Sequence, residues 1–167
     1  FQLKGAEAEG IVHDLSVRSF LTDWCYLNPR LPDGKEICDL LVVFDDIAII
    51  WQVKSLKLRD DGQYKRGDVE KNLRQLIGAK RRLFDLDAEI YLENPRRGKE
   101  LFNPKTIKQI FLTSVLMGPP EQFFSFVENI NDSTIHVFNR EFTEIVFNEL
   151  DTISCLLYTS PSPRDRT

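Results

Sequence analysis

The sequence predicts an α/β fold in which a mixed central sheet is covered by helices on both faces. Segments with helical and strand-like patterns alternate along the chain, and two apolar runs typical of paired strands meet at Asp45-Asp46. With 167 residues, 42% hydrophobic and 29% charged, the chain is long enough for one core and ordinary in composition. No apolar run reaches the roughly 18 residues that span a bilayer. We therefore expect a cytoplasmic protein that does not contact membranes.

The first predicted element is a helix over residues 5–24. At 100° per residue, Glu7, Asp14 and Arg18 share a polar stripe that faces water. Glu9 instead falls on the side occupied by apolar residues, where a carboxylate needs a partner. Glu9 is therefore a candidate functional residue.

A β-hairpin is predicted over residues 36–54, where the apolar runs ICDLLVVF and IAIIWQV flank a tight turn. The next predicted helix runs from Val69 to about Phe84, with Asp68 as its N-cap. Its apolar stripe comprises Val69, Leu73, Leu76 and Leu83. Residues 91–106, which contain Pro95, Gly98 and Pro104, are predicted to be a loop.

The last elements are inferred from shorter patterns. The continuous apolar stretch in residues 107–117 predicts a strand that is buried on both faces. A helix is predicted from about Glu121 to Asn129, a strand over residues 134–138, and a helix from about Glu141 to Leu150.

The chain is expected to be one domain with a non-native tail. Residues 1–118 are predicted to form the core, and residues 119–154 an αβα extension of it. Residues 155–165 resemble a translated transposase sequencing adapter, which indicates an assembled environmental sequence, so residues 155–167 are set aside from the fold prediction. Because the chain begins with Phe rather than Met, we expect it to be a fragment truncated at both ends.

Cysteine and tryptophan residues are assigned to the interior. Cys25 and Cys38 occupy no metal-binding spacing and are predicted to be buried reduced thiols. Trp24 and Trp51 are better explained as core residues than as stacking platforms for nucleic-acid bases.

Basic residues are concentrated in the middle third of the chain. Residues 54–108 hold 15 basic and 9 acidic side chains, whereas residues 1–53 hold 4 and 9, and residues 109–154 hold 1 and 7. Such a concentration is what binding to a phosphate backbone requires, but a solvated helix face explains it equally well. The candidates for nucleic-acid binding are Lys57, Lys65, Arg66, Lys71, Arg74 and Arg81.

The hairpin brings polar residues together on one sheet face. If Asp45 and Asp46 form the turn, paired residue numbers sum to 91, so Asp39 lies opposite Gln52, and Lys54 shares their face. A buried carboxylate there requires compensation. An internal Asp39–Lys54 salt bridge would supply it, and so would a divalent metal ion bound by oxygen ligands.

These residues resemble the PD-(D/E)xK nuclease superfamily, which has a restriction-endonuclease-like fold. The resemblance covers roughly residues 5–117 and implies that Asp39, Gln52, Lys54 and Glu9 are the catalytic residues, of which Asp39, Glu9 and Gln52 bind Mg²⁺ or Mn²⁺. Gln52 replaces the usual carboxylate, as in the QxK form of nucleases similar to the Mrr restriction group. Gln75 is weakly similar to a glutamine in the helix that follows the active site of RecB-like members.

The resemblance implies a Mg²⁺-dependent phosphodiester hydrolase, namely a DNA endonuclease of the restriction or repair type. It leaves open whether the protein forms a homodimer. Cleavage of RNA would use the same site. Loss of catalysis, leaving a nucleic-acid-binding or protein-interaction module, is the alternative that Gln52 favours. The hairpin and the segment LDTI at residues 150–153 also resemble bacterial proteins from which no activity carries over.

Overall fold

The computed structural model of the chain describes residues 5–20, 22–57, 59–61, 64–86, 89–118 and 127–159. It has the predicted α/β fold: a mixed six-stranded sheet with helices packed on its two faces. The helices are α1 (Gly5–Phe20), α2 (Arg66–Phe84) and α3 (Arg140–Thr159). The strands are β1 (Cys25–Leu27), β2 (Leu40–Phe44), β3 (Ile47–Ser55), β4 (Ile90–Asn94), β5 (Gly98–Phe102), β6 (Gln109–Met117), β7 (Val127–Ile130) and β8 (Ser133–Asn139).

The large sheet has the strand order β1-β2-β3-β6-β8-β7. Strands β1, β2 and β3 run antiparallel, β3, β6 and β8 are parallel, and β7 closes the far edge antiparallel to β8. Residues Leu112–Met117 of β6 are all buried, which confirms the prediction of a strand covered on both faces. The carboxyl ends of β3 and β6 therefore lie side by side.

The hairpin of β2 and β3 has the predicted register. Leu40 pairs with Trp51, Val42 with Ile49, and Phe44 with Ile47, so paired numbers sum to 91 throughout. Asp45, in the turn, has a φ of 52°, a left-handed conformation that Asp tolerates better than most residues. The pairing arithmetic therefore correctly identified which side chains share a face.

Two hydrophobic clusters fill the two faces of the sheet. The cluster under α2 includes Leu41, Ala48, Ile50, Leu73, Leu76 and Leu83. The cluster on the opposite face, where α1 and α3 pack, includes Ala8, Val12, Leu40, Val42, Trp51 and Phe147. The predicted apolar stripe of α2 is confirmed, with Val69 partly buried at its edge.

The prediction of a loop over residues 91–106 is wrong. Most of this segment forms a second, two-stranded sheet of β4 and β5, with Pro95 in the turn between them. Alternating burial along β4 is the strand signal that the Pro and Gly residues obscured. The buried Asn94 side chain donates hydrogen bonds to the carbonyl oxygens of Thr22, Asp23 and Cys25, which anchors this hairpin to the chain before β2.

Three helix predictions also need correction. The helix over residues 5–24 ends at Phe20, and after a short 3₁₀ turn the chain enters β1. Helix α2 begins at Arg66, so Asp68 lies in its first turn rather than at its N-cap. In the helix predicted from Glu121 to Asn129, residues 121–126 lie outside the described residues and 127–129 belong to β7.

The remaining predictions concern the cysteine and tryptophan residues, membrane-spanning segments and the C-terminal tail. Cys25 and Cys38 are buried free thiols, as expected. Trp51 is buried, whereas Trp24 is partly exposed beneath the guanidinium of Arg97, 5.3 Å from the ring centroid. None of the helices in the described part of the chain is long and apolar enough to cross a membrane. The adapter origin of residues 155–167 stays a prediction.

Candidate metal centre at the base of the hairpin

Asp39 is the buried carboxylate immediately before β2, with 4% of its surface exposed. Its Oδ2 accepts hydrogen bonds from Gln52 Nε2 at 2.6 Å and from the backbone N–H of Val53 at 2.5 Å. Its own carbonyl accepts from the N–H of Asn28 at 2.9 Å, which ties the residue to the end of β1. Asp39 is therefore held from both sides, with one carboxylate oxygen committed to β3.

The ionised form of Asp39 is disfavoured in this position. Burial raises its pKa from 3.8 to about 7, against the lowering effect of the Val53 N–H. Repulsion from Glu9 and Glu36, and a hydrogen bond with the Glu36 side chain, raise the pKa further. Three carboxyl groups therefore interact electrostatically at one edge of the sheet.

Glu9 and Glu36 reach this edge from different elements. Glu9 is half-buried on α1, and its pKa is raised by burial and by repulsion from Glu36. Glu36 precedes the hairpin and lies 3.9 Å from Arg30 in an exposed ion pair. The structure therefore brings the predicted Glu9 into electrostatic range of Asp39 and adds Glu36, to which the sequence reasoning gave no role.

Leu40 pairs with Trp51 at the end of the ladder, and the next residues outward, Asp39 and Gln52, contact each other through their side chains, as the pairing predicted. Because its amide nitrogen donates to the Asp39 carboxylate, Gln52, like the Val53 N–H, stabilises the ionised form that burial and the two glutamates destabilise. A glutamate at this position would instead add a fourth carboxyl group. The orientation of the amide follows from this hydrogen bond, since only the nitrogen can donate.

Lys54 shares the Gln52 face of β3 and is half-buried near the end of the strand. Among the residues that the structure describes, no ion pair within 4.0 Å joins Lys54 to Asp39. The internal salt bridge considered from the sequence is thus not formed. Within the described part of the chain, no ion pair to a basic side chain offsets the burial of the Asp39 carboxylate.

Asn72 and Ser114 form a polar contact beneath the site that the sequence reasoning missed. Asn72 Nδ2 donates to Ser114 Oγ at 2.7 Å and to the Gln52 carbonyl oxygen at 3.3 Å. Both side chains are fully buried, and Asn72 Oδ1 has no hydrogen-bond partner among the described residues. Asn72 lies on the apolar stripe of α2 with Val69, Leu73 and Leu76, and this pattern could have revealed it.

Gln75, the helix residue weakly similar to the RecB-like glutamine, is exposed on the outer side of α2. It therefore lies outside the buried polar group at the hairpin base.

All six predicted nucleic-acid-binding residues are exposed, although their surroundings differ. Arg66 and Arg74 both pair with Glu70, at 3.0 Å and 3.8 Å. Lys71 and Arg81 lie on exposed parts of α2. The remaining two, Lys57 and Lys65, line a cleft in the segment that joins β3 to α2. The predicted basic surface is therefore divided between a helix face and a concave region.

The donor chemistry at the hairpin base fits a hard divalent cation. Carboxylate and amide oxygens are the ligands that Mg²⁺ accepts, and this ion keeps several water molecules rather than filling its shell with protein. In the described part of the chain, no group of three or more His, Cys, Asp or Glu side chains is arranged to hold a metal ion. The carboxyl groups of Asp39, Glu9 and Glu36 are thus close enough to repel one another, but they are not arranged as a preformed metal-binding site.

The chain was compared with known proteins at the levels of family, sequence and fold. No family model, curated protein or solved structure matches it.

Proposed function

We propose that the protein is a Mg²⁺-dependent phosphodiester hydrolase that acts on nucleic acid, with DNA as the substrate and Mn²⁺ as an alternative ion. The observation that carries this proposal is the buried Asp39, which Gln52 and Val53 hold in place and whose pKa is raised by burial and by two further carboxyl groups. Clusters of carboxyl groups that repel one another are frequent at functional sites because a cation relieves the repulsion.

The proposed roles follow from position. Asp39 and Glu9 would bind the cation, with Gln52 in support through its amide, and Glu36 is a further carboxylate within reach. The cation would supply Lewis-acid stabilisation of the phosphodiester and activation of a water molecule. Lys54, which is not paired with Asp39, would hold its ammonium against the negative charge that develops on the phosphoryl oxygens.

The test is cleavage of DNA and RNA oligonucleotides by the purified chain, with Mg²⁺ or with a chelator. Asp39→Asn keeps the size and the hydrogen-bond acceptor, and Lys54→Met keeps the aliphatic stem, so both variants should fold. We expect each to reduce cleavage by at least about 100-fold, the scale for loss of a stabilising group at a reacting centre.

Lys105→Met is the matched control for Lys54→Met, because Lys105 is an exposed lysine on a short 3₁₀ turn far along the chain from the site. It should cleave at the wild-type rate. Chelator-resistant cleavage, or full activity in both site variants, would rule out the proposal.

A second function is favoured by one observation. Gln52 donates its amide N–H to Asp39, a contact that offsets part of the cost of burying the carboxylate and requires no cation. A module that has lost catalysis and only binds nucleic acid or a protein would retain the same contact. Such a module would bind without cleaving, and titration with Mg²⁺ would give no heat that Asp39→Asn removes.

A further inference from the structure

The chain segment between the end of β3 and the start of α2, which follows Lys54, forms a cleft. This cleft has a volume of about 460 Å³ and is lined by Lys57, Arg59, Asp60, Asp61 and Lys65. Ligand sites commonly occupy clefts of about 300 to 1,000 Å³. The space is therefore sufficient for one nucleotide unit of a polynucleotide strand.

The charges in the cleft are only partly neutralised. Arg59 pairs with Asp61 at 3.2 Å, which commits one guanidinium to one carboxylate. Lys57 and Lys65 are exposed, and no ion pair joins either of them to another of the described residues. With Arg59 and Asp61 paired, the two ammonium groups outnumber the one remaining carboxylate of the cleft, that of Asp60, so the concave surface keeps a net positive charge that attracts an anion.

The cleft is close to Asp39 and Lys54 because the chain connects them directly. Lys57 follows Lys54 by three residues, a span of at most about 10 Å. The N–H of Leu56 donates to the carbonyl oxygen of Met117 at 2.7 Å, which fixes this stretch against the end of β6. A nucleic-acid strand whose phosphate reached Lys54 would therefore have a neighbouring part of its backbone at the cleft.

The other predicted basic residues, all on α2, either form ion pairs or lie outside the cleft. Arg66 and Arg74 share Glu70 as an ion-pair partner, so part of their charge is already offset. Lys71 and Arg81 project from the helix surface away from its apolar stripe and do not line the cleft. They are better described as a solvated helix face.

We propose that Lys57 and Lys65 bind one backbone phosphate of the nucleic-acid strand, adjacent to the phosphate at the metal centre. This inference rests on the proposed function only in taking nucleic acid as the ligand. It narrows the predicted basic surface from six residues to two, and it assigns them a defined anchoring role beside the reacting phosphate.

The test compares two double variants that remove the same charge. Lys57→Gln/Lys65→Gln alters the cleft, and Lys71→Gln/Arg81→Gln alters the outer face of α2. Binding of a fluorescent DNA oligonucleotide is measured by anisotropy with a chelator present, so that cleavage does not interfere. The salt concentration is varied from about 50 to 200 mM, since each neutralised phosphate contributes about 0.9 to the slope of log K against log salt.

We expect the cleft variant to lose about one unit of slope and to bind about tenfold more weakly near 0.1 M salt. The outer-face variant should change affinity by less than about twofold. Equal losses in both variants, unchanged binding by the cleft variant, or no binding by the wild type would each overturn the inference.

The measurement is independent of catalysis. If the wild type binds DNA through the cleft but never cleaves it, the hydrolase proposal fails while the phosphate site stands. If cleavage requires Mg²⁺ and Asp39 but the cleft variant binds normally, the hydrolase proposal stands and the phosphate site fails.

Discussion

The two faces of the central sheet are built differently, although the same strands supply both. On the face that α1 and α3 cover, Leu40, Val42 and Trp51 pack in a continuous apolar cluster with Phe147. The α2 face is equally apolar at the turn end of the hairpin but carries a buried line of polar groups at the open end, namely Asp39, Gln52, Asn72 and Ser114. The face covered by α1 and α3 holds a buried threonine, Thr113 beside Trp51, but no buried carboxylate or amide among the described residues, so those on the other face require a reason beyond folding.

Breaking the apolar face should have the largest effect on stability. Trp51 stacks on Phe147 at 5.1 Å between ring centroids and meets Phe138 edge-on at 6.1 Å. Trp51→Ala would leave a cavity among these rings, and we expect the free energy of unfolding to fall by about 3 to 5 kcal/mol. Urea denaturation measures this loss, and a loss below about 1 kcal/mol would show that the cluster is not a tightly packed core.

Removing the negative charge of Asp39 from the polar face should increase the free energy of unfolding rather than reduce it. The pKa of Asp39 is about 7 in the folded chain and near 3.8 when unfolded, so the folded state binds more protons between these values. Stability contributed by the protonated form is therefore lost as the pH rises from about 4 to about 7. A shift of this size sets a ceiling of about 4 kcal/mol, at 1.36 kcal/mol per unit.

Asp39→Asn removes this pH dependence. Without divalent cations, we expect the variant to be more stable than wild type by about 1 to 3 kcal/mol at pH 8 and equal to it near pH 4. Denaturant titrations at both pH values measure the difference. A variant that is less stable than wild type at pH 8 would contradict the conclusion that the ionised Asp39 carboxylate destabilises the folded state.

Substitutions at Asn72 and Ser114 measure how much the buried hydrogen bond between them stabilises the polar face. Ser114→Ala leaves Asn72 Nδ2 with only the long contact to the Gln52 carbonyl oxygen, and we expect a cost of about 1 to 2 kcal/mol. Asn72→Leu/Ser114→Ala removes both partners of the buried hydrogen bond, so it should cost less than Ser114→Ala alone. If the loss of unfolding free energy in the double variant equals the sum of the losses in Ser114→Ala and Asn72→Leu, the two side chains do not interact.

The smallest effect is expected on the solvated side of α2. Glu70 pairs with Arg66 and Arg74, whose side chains are 93% and 66% exposed. Because exposed ion pairs contribute little, Glu70→Gln should change the free energy of unfolding by less than about 0.5 kcal/mol. A larger loss in thermal or urea denaturation would mean that this face contributes more to the fold than its exposure indicates.

Local pattern accounts for the parts of the fold that the sequence predicted correctly. The hairpin register followed from one turn and the alternation of side chains, and these two features were enough to pair Asp39 with Gln52. The β4–β5 hairpin was mistaken for a loop because Pro95 marks its turn and hides the alternation of buried and exposed residues in β4.

Tertiary contacts explain what the sequence could not reveal about the site. Glu36 lies outside the paired strands, and its influence on Asp39 depends on how the chain approaches β2. Asn72 reaches Gln52 and Ser114 across the helix–sheet interface, a contact that no spacing along the chain encodes. Gln75, which the sequence singled out, is exposed, whereas the asparagine three residues earlier is buried against the site.

Calorimetric titration of Mg²⁺ into the wild type and Asp39→Asn tests the candidate metal centre most directly. Asp33→Asn is the matched control, since it removes one carboxylate from an exposed turn where Asp33 pairs only with Lys35 among the described residues. We predict saturable binding by the wild type and by Asp33→Asn that Asp39→Asn abolishes. No binding by the wild type, or equal binding by all three proteins, would contradict a cation site at Asp39.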